Sequence, residues 1–126
     1  MPGCGDVCLD MCVDIVNEFH RARVVTARKA HLCVECETKI LPGTKFELVN
    51  SKTEGKFWIA KTCLMCLEIR EAFVCGSWIY GELYSNIEEV MFPIWDTAGP
   101  LDCLAKLESK EARDYLRELY RDWKSD

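Results

Sequence analysis

The feature that most constrains this chain is a doubled C-x-x-C motif. Cys33 and Cys36 form the first pair, and Cys63 and Cys66 form the second pair after 26 intervening residues. Two residues between cysteines allow a tight turn, or the first turn of a helix, to aim both sulfurs at one point. Zinc prefers four such ligands in a tetrahedron. The spacing therefore predicts one structural zinc ion bound by all four cysteines.

Two other interpretations of paired cysteines are a redox motif and a set of incidental buried thiols. A thioredoxin-like redox motif requires a single C-x-x-C at the end of a strand. This chain instead has two copies that flank a β-rich segment. The doubled spacing therefore favours a metal site over both alternatives.

The residues around the second pair predict a β-hairpin followed by a helix. Segments 45–50 and 56–60 are rich in β-formers, and the turn-forming segment between them ends in Gly55. We expect Thr62 to cap a helix that begins at the second pair. Its apolar residues recur at helical spacing, at Met65, Ile69, Ala72 and Phe73. The fold class is therefore expected to be small α+β, with a knuckle, a hairpin and a helix.

The residues after 75 predict a helical extension. Helices are expected over 78–91, over 101–107 and from an N-cap at Ser109 onward, with a break at 92–100, where two prolines and a glycine occur. The last helix should pack a broad aromatic stripe into the core: Tyr115, Leu116, Leu119, Tyr120 and Trp123. We divide the chain into an acidic cysteine-containing segment 1–25, a zinc-finger core 26–75 and a helical extension 76–126.

The order of knuckle, hairpin and helix, with two ligands at the helix start, resembles that of treble-clef zinc fingers. The CxxCxxxIxxG opening from Cys33 to Gly43 and the Phe57-Trp58 pair carry the resemblance. LIM and poly(ADP-ribose) polymerase fingers share these features and usually add a histidine in W-x-H-x-x-C. This chain has no histidine between Trp58 and Cys63. This departure implies an all-cysteine site and weakens any carry-over of DNA-break binding from those families.

A longer stretch, residues 26–90, resembles small zinc-finger proteins of bacteriophages and prophages. Those proteins also tend to carry cysteines near the N-terminus. The similar segments are residues 27–36, the Ile40-Leu41-Pro42-Gly43 turn, Lys61-Thr62-Cys63 and Phe73-Val74-Cys75-Gly76. This resemblance implies an origin and supplies no activity.

The remaining cysteines and one histidine are weaker candidates. Four further cysteines have two possible interpretations: Cys4, Cys8, Cys12 and Cys75. They could bind a second metal ion, or they could be free thiols in a partly ordered terminus. Their spacing matches no common iron–sulfur motif. Cys103 is expected to be a small hydrophobic residue of the core. His31 is expected to lie beside the zinc site without ligating the ion.

Charge is distributed unevenly along a chain whose net charge is −5. Residues 21–70 carry ten lysines and arginines against five acids, whereas residues 71–126 carry twelve acids against six basic residues. The first 20 residues carry four acids and no lysine or arginine. No apolar run reaches the ~18 residues of a membrane span, and residues 1–14 do not read as a signal peptide. We therefore expect a cytoplasmic protein, in the host cytoplasm if phage-encoded.

These features favour a binding protein over an enzyme. The chain contains no recognisable nucleophile or acid–base motif, and four thiolates would close the coordination sphere of zinc. Acidic flanks repel phosphate, and four tryptophans and four tyrosines suit protein interfaces. We expect a zinc-stabilised protein–protein interaction module, a phage-type accessory protein that binds or inhibits a host or defence complex. The alternative is a nucleic-acid-binding zinc finger. Neither a membrane nor a small-molecule substrate is expected.

Overall fold

The structure is a computed structural model that describes residues 8–11 and 17–125, and its first half is built from strands. These are β1 (Phe19–Thr26), β2 (His31–Leu32), β3 (Lys39–Ile40), β4 (Lys45–Thr53) and β5 (Lys56–Cys63). Strands β1, β4 and β5 form an antiparallel sheet in the order β1-β4-β5, and β2 pairs with β3 in a small antiparallel ribbon. The chain is thus α+β with antiparallel sheets, as expected.

The predicted hairpin is confirmed, with longer strands than the sequence indicated. Glu54 and Gly55 connect β4 to β5, and both have positive φ angles, 51° and 79°. A two-residue turn of this kind matches the right-handed twist of the flanking strands. Strand β1 was not predicted, and it pairs with β4 over all eight of its residues. The boundary at residue 25 stays a prediction, although β1 joins residues 19–26 to the hairpin.

The first helix, α1 (Leu64–Phe73), begins directly after β5. The prediction that Thr62 caps it is wrong, because β5 continues to Cys63, which pairs with Phe46 and keeps Thr62 extended. The Thr62 side chain is buried, and its hydroxyl has no hydrogen-bond partner among residues 8–11 and 17–125. Cys63 occupies the cap position instead.

The second half is helical with bounds that differ from those predicted. Its elements are α2 (Leu83–Asn86), a π-helical segment (Ile87–Met91), α3 (Phe92–Ala98), α4 (Leu101–Leu104) and α5 (Lys110–Ser125). Residues 78–82 are irregular. The helix continues through the first part of the predicted break and ends at Ala98, so the break is confirmed only at Gly99 and Pro100. Pro93 lies in the first turn of α3, directly after the π-helical segment, where its missing N–H is tolerated. Ser109 accepts a hydrogen bond from the Ala112 N–H at 3.1 Å, which confirms its predicted capping role.

Two clusters of buried residues meet at α1. The larger lies between the helices and includes Ile69, Phe73, Trp95 and Leu116, with the rest of the α5 stripe packed against it. The stripe is thus largely core packing, as expected, and Cys103 is also buried there. We call the smaller cluster the metal-side core, and it consists of Ala27, Cys33, Ile40, Phe46 and Cys66. None of the described helices combines the length and the apolar character that a membrane span requires.

The larger sheet has one covered face, and its other face is open toward the β4–β5 turn but covered at Phe46 by the metal-side core. Val49 and Ala60 are buried on the covered face, against which α1 packs. Phe57 and Ile59 lie on the opposite face, and their side chains are 76 % and 61 % exposed. Because paired residues of an antiparallel sheet share a face, Arg21 lies on this open face with Ile59. We call it the outer face.

Candidate metal centre

The four cysteines of the doubled motif meet at one point. Their sulfur atoms all lie within 4.8 Å of one another, and the Sγ atoms of Cys36 and Cys63 are 3.8 Å apart. In a tetrahedral zinc–thiolate centre with metal–sulfur bonds of about 2.3 Å, neighbouring sulfurs are about 3.8 Å apart. This spacing is too long for a disulfide bond of about 2.05 Å, and all four are free cysteines. The cluster is positioned to hold a metal ion.

Local structure brings each pair into place. Cys33 and Cys36 lie in the turn between β2 and β3, which is closed by a 3.0 Å hydrogen bond from the Glu37 N–H to the Cys33 carbonyl. The Val34 N–H donates to the Lys61 carbonyl at 2.8 Å and holds this turn beside β5. The second pair lies at the start of α1, where the helix dipole and free N–H groups favour thiolates.

The sulfurs strongly affect one another's ionisation. Hydrogen bonds from Cys63, then Cys66, lower the pKa of Cys33 far below that of a free thiol. The hydrogen bond to Cys33 raises the pKa of Cys63 to about 12 and also raises the pKa of Cys66. A charge on one sulfur therefore opposes loss of the protons on its neighbours. A divalent metal would displace those protons and bind the thiolates.

Tyr84 contacts the cluster from the helical half of the chain. Its hydroxyl oxygen lies 2.8 Å from the Cys66 sulfur. Burial, followed by a charge on Cys66, raises the pKa of Tyr84 above its ordinary value, so the hydroxyl keeps its proton and can donate it to the sulfur when Cys66 is a thiolate. The sequence analysis missed this residue, because no motif links it to a cysteine 18 positions away.

Replacing Tyr84 with phenylalanine should weaken metal binding while preserving the fold. Loss of a hydrogen bond to a ligand typically lowers metal affinity by about 10–100-fold. We expect a decrease of about 10-fold in Tyr84→Phe, because the other contacts to the ligands remain. Competition with a chromogenic chelator measures the affinity. Tyr115→Phe is the matched control, since the Tyr115 ring packs on Tyr84 with centroids 5.1 Å apart. Equal affinities of Tyr84→Phe and Tyr115→Phe would contradict the assigned role.

Glu35, inside the first cysteine pair, joins the knuckle to the helical half. One of its carboxylate oxygens accepts the N–H groups of Gly81 and Leu83 at 3.0 and 3.1 Å. Burial raises the pKa of this carboxyl above its ordinary value, although the two N–H donors oppose the shift. These bonds hold the start of α2 against the knuckle, and no sequence signal indicated them.

His31 lies against Lys61 and Phe46. Its Nδ1 atom is 3.1 Å from the Lys61 Nζ, and its ring packs on Phe46 with centroids 5.3 Å apart. Burial, then the charge of Lys61, lowers the pKa of His31, so a neutral ring accepts the lysine hydrogen bond. The ring reaches the metal-side core through Phe46. Its predicted position beside a bound ion stays a prediction.

The predicted second metal site is only partly within the described residues. Cys8 and Cys75 are joined by a disulfide bond, with Cα atoms 5.3 Å apart. In this form neither sulfur is a thiolate that a metal can bind. Cys4 and Cys12 lie outside the described residues, so a shared second ion stays a prediction.

A buried ion pair connects the sheet to α1 behind the metal centre. The Arg70 guanidinium donates to both carboxylate oxygens of Glu47, at 3.0 and 2.7 Å. Both side chains are less than a tenth exposed. The same guanidinium lies over the rings of Trp78 and Tyr80, 4.9 and 5.5 Å from their centroids. These contacts fix the irregular segment 78–82 against the covered face of the sheet.

Comparison of the chain with protein-family models, curated proteins and solved structures finds no match.

Proposed function

We propose that this chain is a treble-clef zinc finger that binds one zinc ion and acts by binding another protein. The observation that carries the metal assignment is the cluster of four sulfurs within 4.8 Å of one another. The order of elements supports the treble-clef class, because the β2–β3 knuckle, the β4–β5 hairpin and α1 follow one another with the cysteine pairs at the knuckle and the helix start. Zinc suits an all-thiolate tetrahedral site.

The zinc serves folding and has no catalytic role. Four cysteine ligands fill the tetrahedral coordination sphere, so no position is left for a water molecule or a substrate. In the described part of the chain, the metal-side core contains five buried residues, and two of them are proposed ligands. A core of this size depends on the metal for its stability. The function is therefore sought on the surface of the chain.

The outer face supports binding of a macromolecule. Phe57 and Ile59 expose large apolar side chains there, although burial of such residues is the usual outcome of folding. The acid-rich helical half lies on the other side of the sheet, because its helices pack on α1. The fold thus separates a basic, partly apolar face from an acidic one. A protein partner that offers acidic and apolar groups fits the outer face.

Nucleic-acid binding is the second candidate, and the outer face favours it too. Arg21 and Arg23 lie beside the exposed ring of Phe19 on β1, and arginines next to exposed aromatic rings form stacking platforms for single strands. The net charge of −5 and the −2 charge of a zinc–tetrathiolate centre oppose phosphate binding. We therefore rank this function below protein binding.

Titration against nucleic acids separates the two functions. Mobility-shift experiments use single- and double-stranded DNA and RNA at ~0.15 M salt. We expect dissociation constants only in the range of nonspecific binding, ~10⁻⁴–10⁻⁶ M. In parallel, immobilised protein should retain a partner from a nuclease-treated lysate of the native host, as expected if the phage resemblance holds. Sub-micromolar, sequence-dependent binding that is lost in Phe19→Ala/Phe57→Ala would overturn the proposal and establish the outer face as a nucleic-acid site.

A further inference from the structure

Strand β1 is an open edge of the larger sheet. Seven of its eight residues are exposed, and β4 is the only described strand that pairs with it. The Ala27 N–H, one residue past the strand, donates to the Thr44 carbonyl at 2.8 Å. Because bonding alternates along an antiparallel pair, the backbone groups of Ala22 and Val24 point away from β4. They present the N–H and C=O pattern that another strand needs.

The two sides of this edge differ in character. Arg21 and Arg23 project on the outer face, while Ala22 and Val24 project on the other, where the Val24 side chain is 52 % exposed. Positive charge continues past the strand, since Arg23 also lines an open cleft of about 880 Å³ together with Arg28, Lys29 and His31. The nearby acid Glu18 is already paired with Lys52 at 3.4 Å.

We infer that β1 binds an extended segment of another protein as an additional strand, with acidic residues facing Arg21 and Arg23 and apolar residues beside Val24. Strand addition supplies main-chain hydrogen bonds for affinity, and alternate side chains supply specificity. Acidic residues at every second position match the period of two along a strand. This inference rests on the proposed function, because it names the chemistry of the protein partner.

Two other occupants fit the edge less well. Antiparallel pairing of β1 with a second copy, centred on Ala22 or on Arg23, places arginine opposite arginine, and like charges in directly opposed positions destabilise a sheet. A nucleic acid satisfies the arginines, but it cannot match the alternating backbone donors and acceptors at Ala22 and Val24. An acidic polypeptide satisfies both sets of groups.

A labelled ten-residue peptide of alternating glutamate and valine tests the inference by fluorescence anisotropy at ~0.05 and ~0.15 M salt. Arg21→Glu/Arg23→Glu should weaken its binding by roughly tenfold or more, since two attractive cross-strand pairs become repulsive. The matched control is Arg117→Glu/Arg121→Glu, which makes the same charge change on α5 and should retain wild-type affinity. A peptide of alternating lysine and valine should bind the wild type at least roughly tenfold more weakly.

Val24→Pro separates strand addition from simple charge attraction. Proline at this position removes an outward-facing N–H, which an edge strand tolerates because its bonds to β4 are untouched. The variant should keep the wild-type circular dichroism spectrum and bind the acidic peptide several-fold more weakly. Unchanged peptide binding in Val24→Pro, equal binding of the lysine peptide, no binding by the wild type, or displacement of the peptide by oligothymidine at equal concentration would each overturn the inference.

Capture from nuclease-treated host lysate distinguishes failure of this inference from failure of the proposed function. A partner retained by the wild type and lost with Arg21→Glu/Arg23→Glu supports both. A partner retained equally by both proteins leaves the proposed function intact and overturns the β1 site. If the wild type retains no partner, the proposed function itself fails.

Discussion

Replacing Cys66 with serine is expected to abolish zinc binding and to unfold the metal-side core. A structural zinc site contributes about 10–16 kcal/mol of apparent binding free energy that is available only to the folded chain, while a domain is stable by only about 5–15 kcal/mol in total. The buried Cys66 sulfur also contacts Tyr84, so its loss affects both halves of the chain. Elemental analysis and amide-proton exchange around Phe46 measure the two effects.

Cys75→Ser is the matched control, because it makes the same chemical change outside the cluster. Under reducing conditions it should keep about one zinc per chain and native exchange protection near Phe46. If the wild type instead binds two zinc ions per chain and Cys75→Ser binds one, the result would support the second metal site. Full zinc content in Cys66→Ser, or protection near Phe46 that survives chelation of the metal, would contradict the zinc assignment.

Replacing Glu47 with alanine is expected to lower the free energy of unfolding by about 3–5 kcal/mol. The loss leaves the Arg70 guanidinium buried without a counter-charge, and that side chain is only 7 % exposed. Arg70 also lies over the Trp78 and Tyr80 rings, so the irregular segment 78–82 should loosen. Urea denaturation of the zinc-loaded protein measures the change in stability.

Two further variants show whether the buried charge is the cause. The double variant Glu47→Leu/Arg70→Met should be more stable than Glu47→Ala, because apolar residues of similar size remove both charges together. Asp114→Asn breaks the exposed pairs with Lys110 and Arg117 and should change the stability by no more than about 1 kcal/mol. If the double variant is as unstable as Glu47→Ala, then lost packing, and not the unpaired charge, causes the decrease in the free energy of unfolding.

Short sequence motifs correctly predicted three features of the structure. The C-x-x-C spacing predicted the four clustered cysteines, the glycine-containing turn predicted the β4–β5 hairpin, and Ser109 predicted the start of α5. The turn, the cap and each cysteine pair depend on residues only a few positions apart, and the two pairs, although 26 residues separate them, are linked by the four ligands that one tetrahedral ion requires. Identification of the metal as zinc, and of the partner as a protein, stays with the experiments above.

Local signals failed where pairing or packing decides the conformation. Threonine is a common helix-cap residue, yet pairing of β5 with β4 holds Thr62 in a strand. Proline usually interrupts a helix, yet the π-helical segment before Pro93 lets the helix continue through it. In both cases interactions beyond the residue's own preference determine the outcome.

The sequence by itself determined that four cysteines meet and that a hairpin separates their pairs, because short spacings fix which atoms a turn can bring together. Only the tertiary structure decided what surrounds them. Tyr84 on Cys66, Arg70 on Glu47 and the open edge of β1 each depend on residues that are 18 or more positions apart or on the absence of another described strand. Such contacts arise when whole elements pack, and packing leaves no periodic pattern in the sequence from which a pair can be identified.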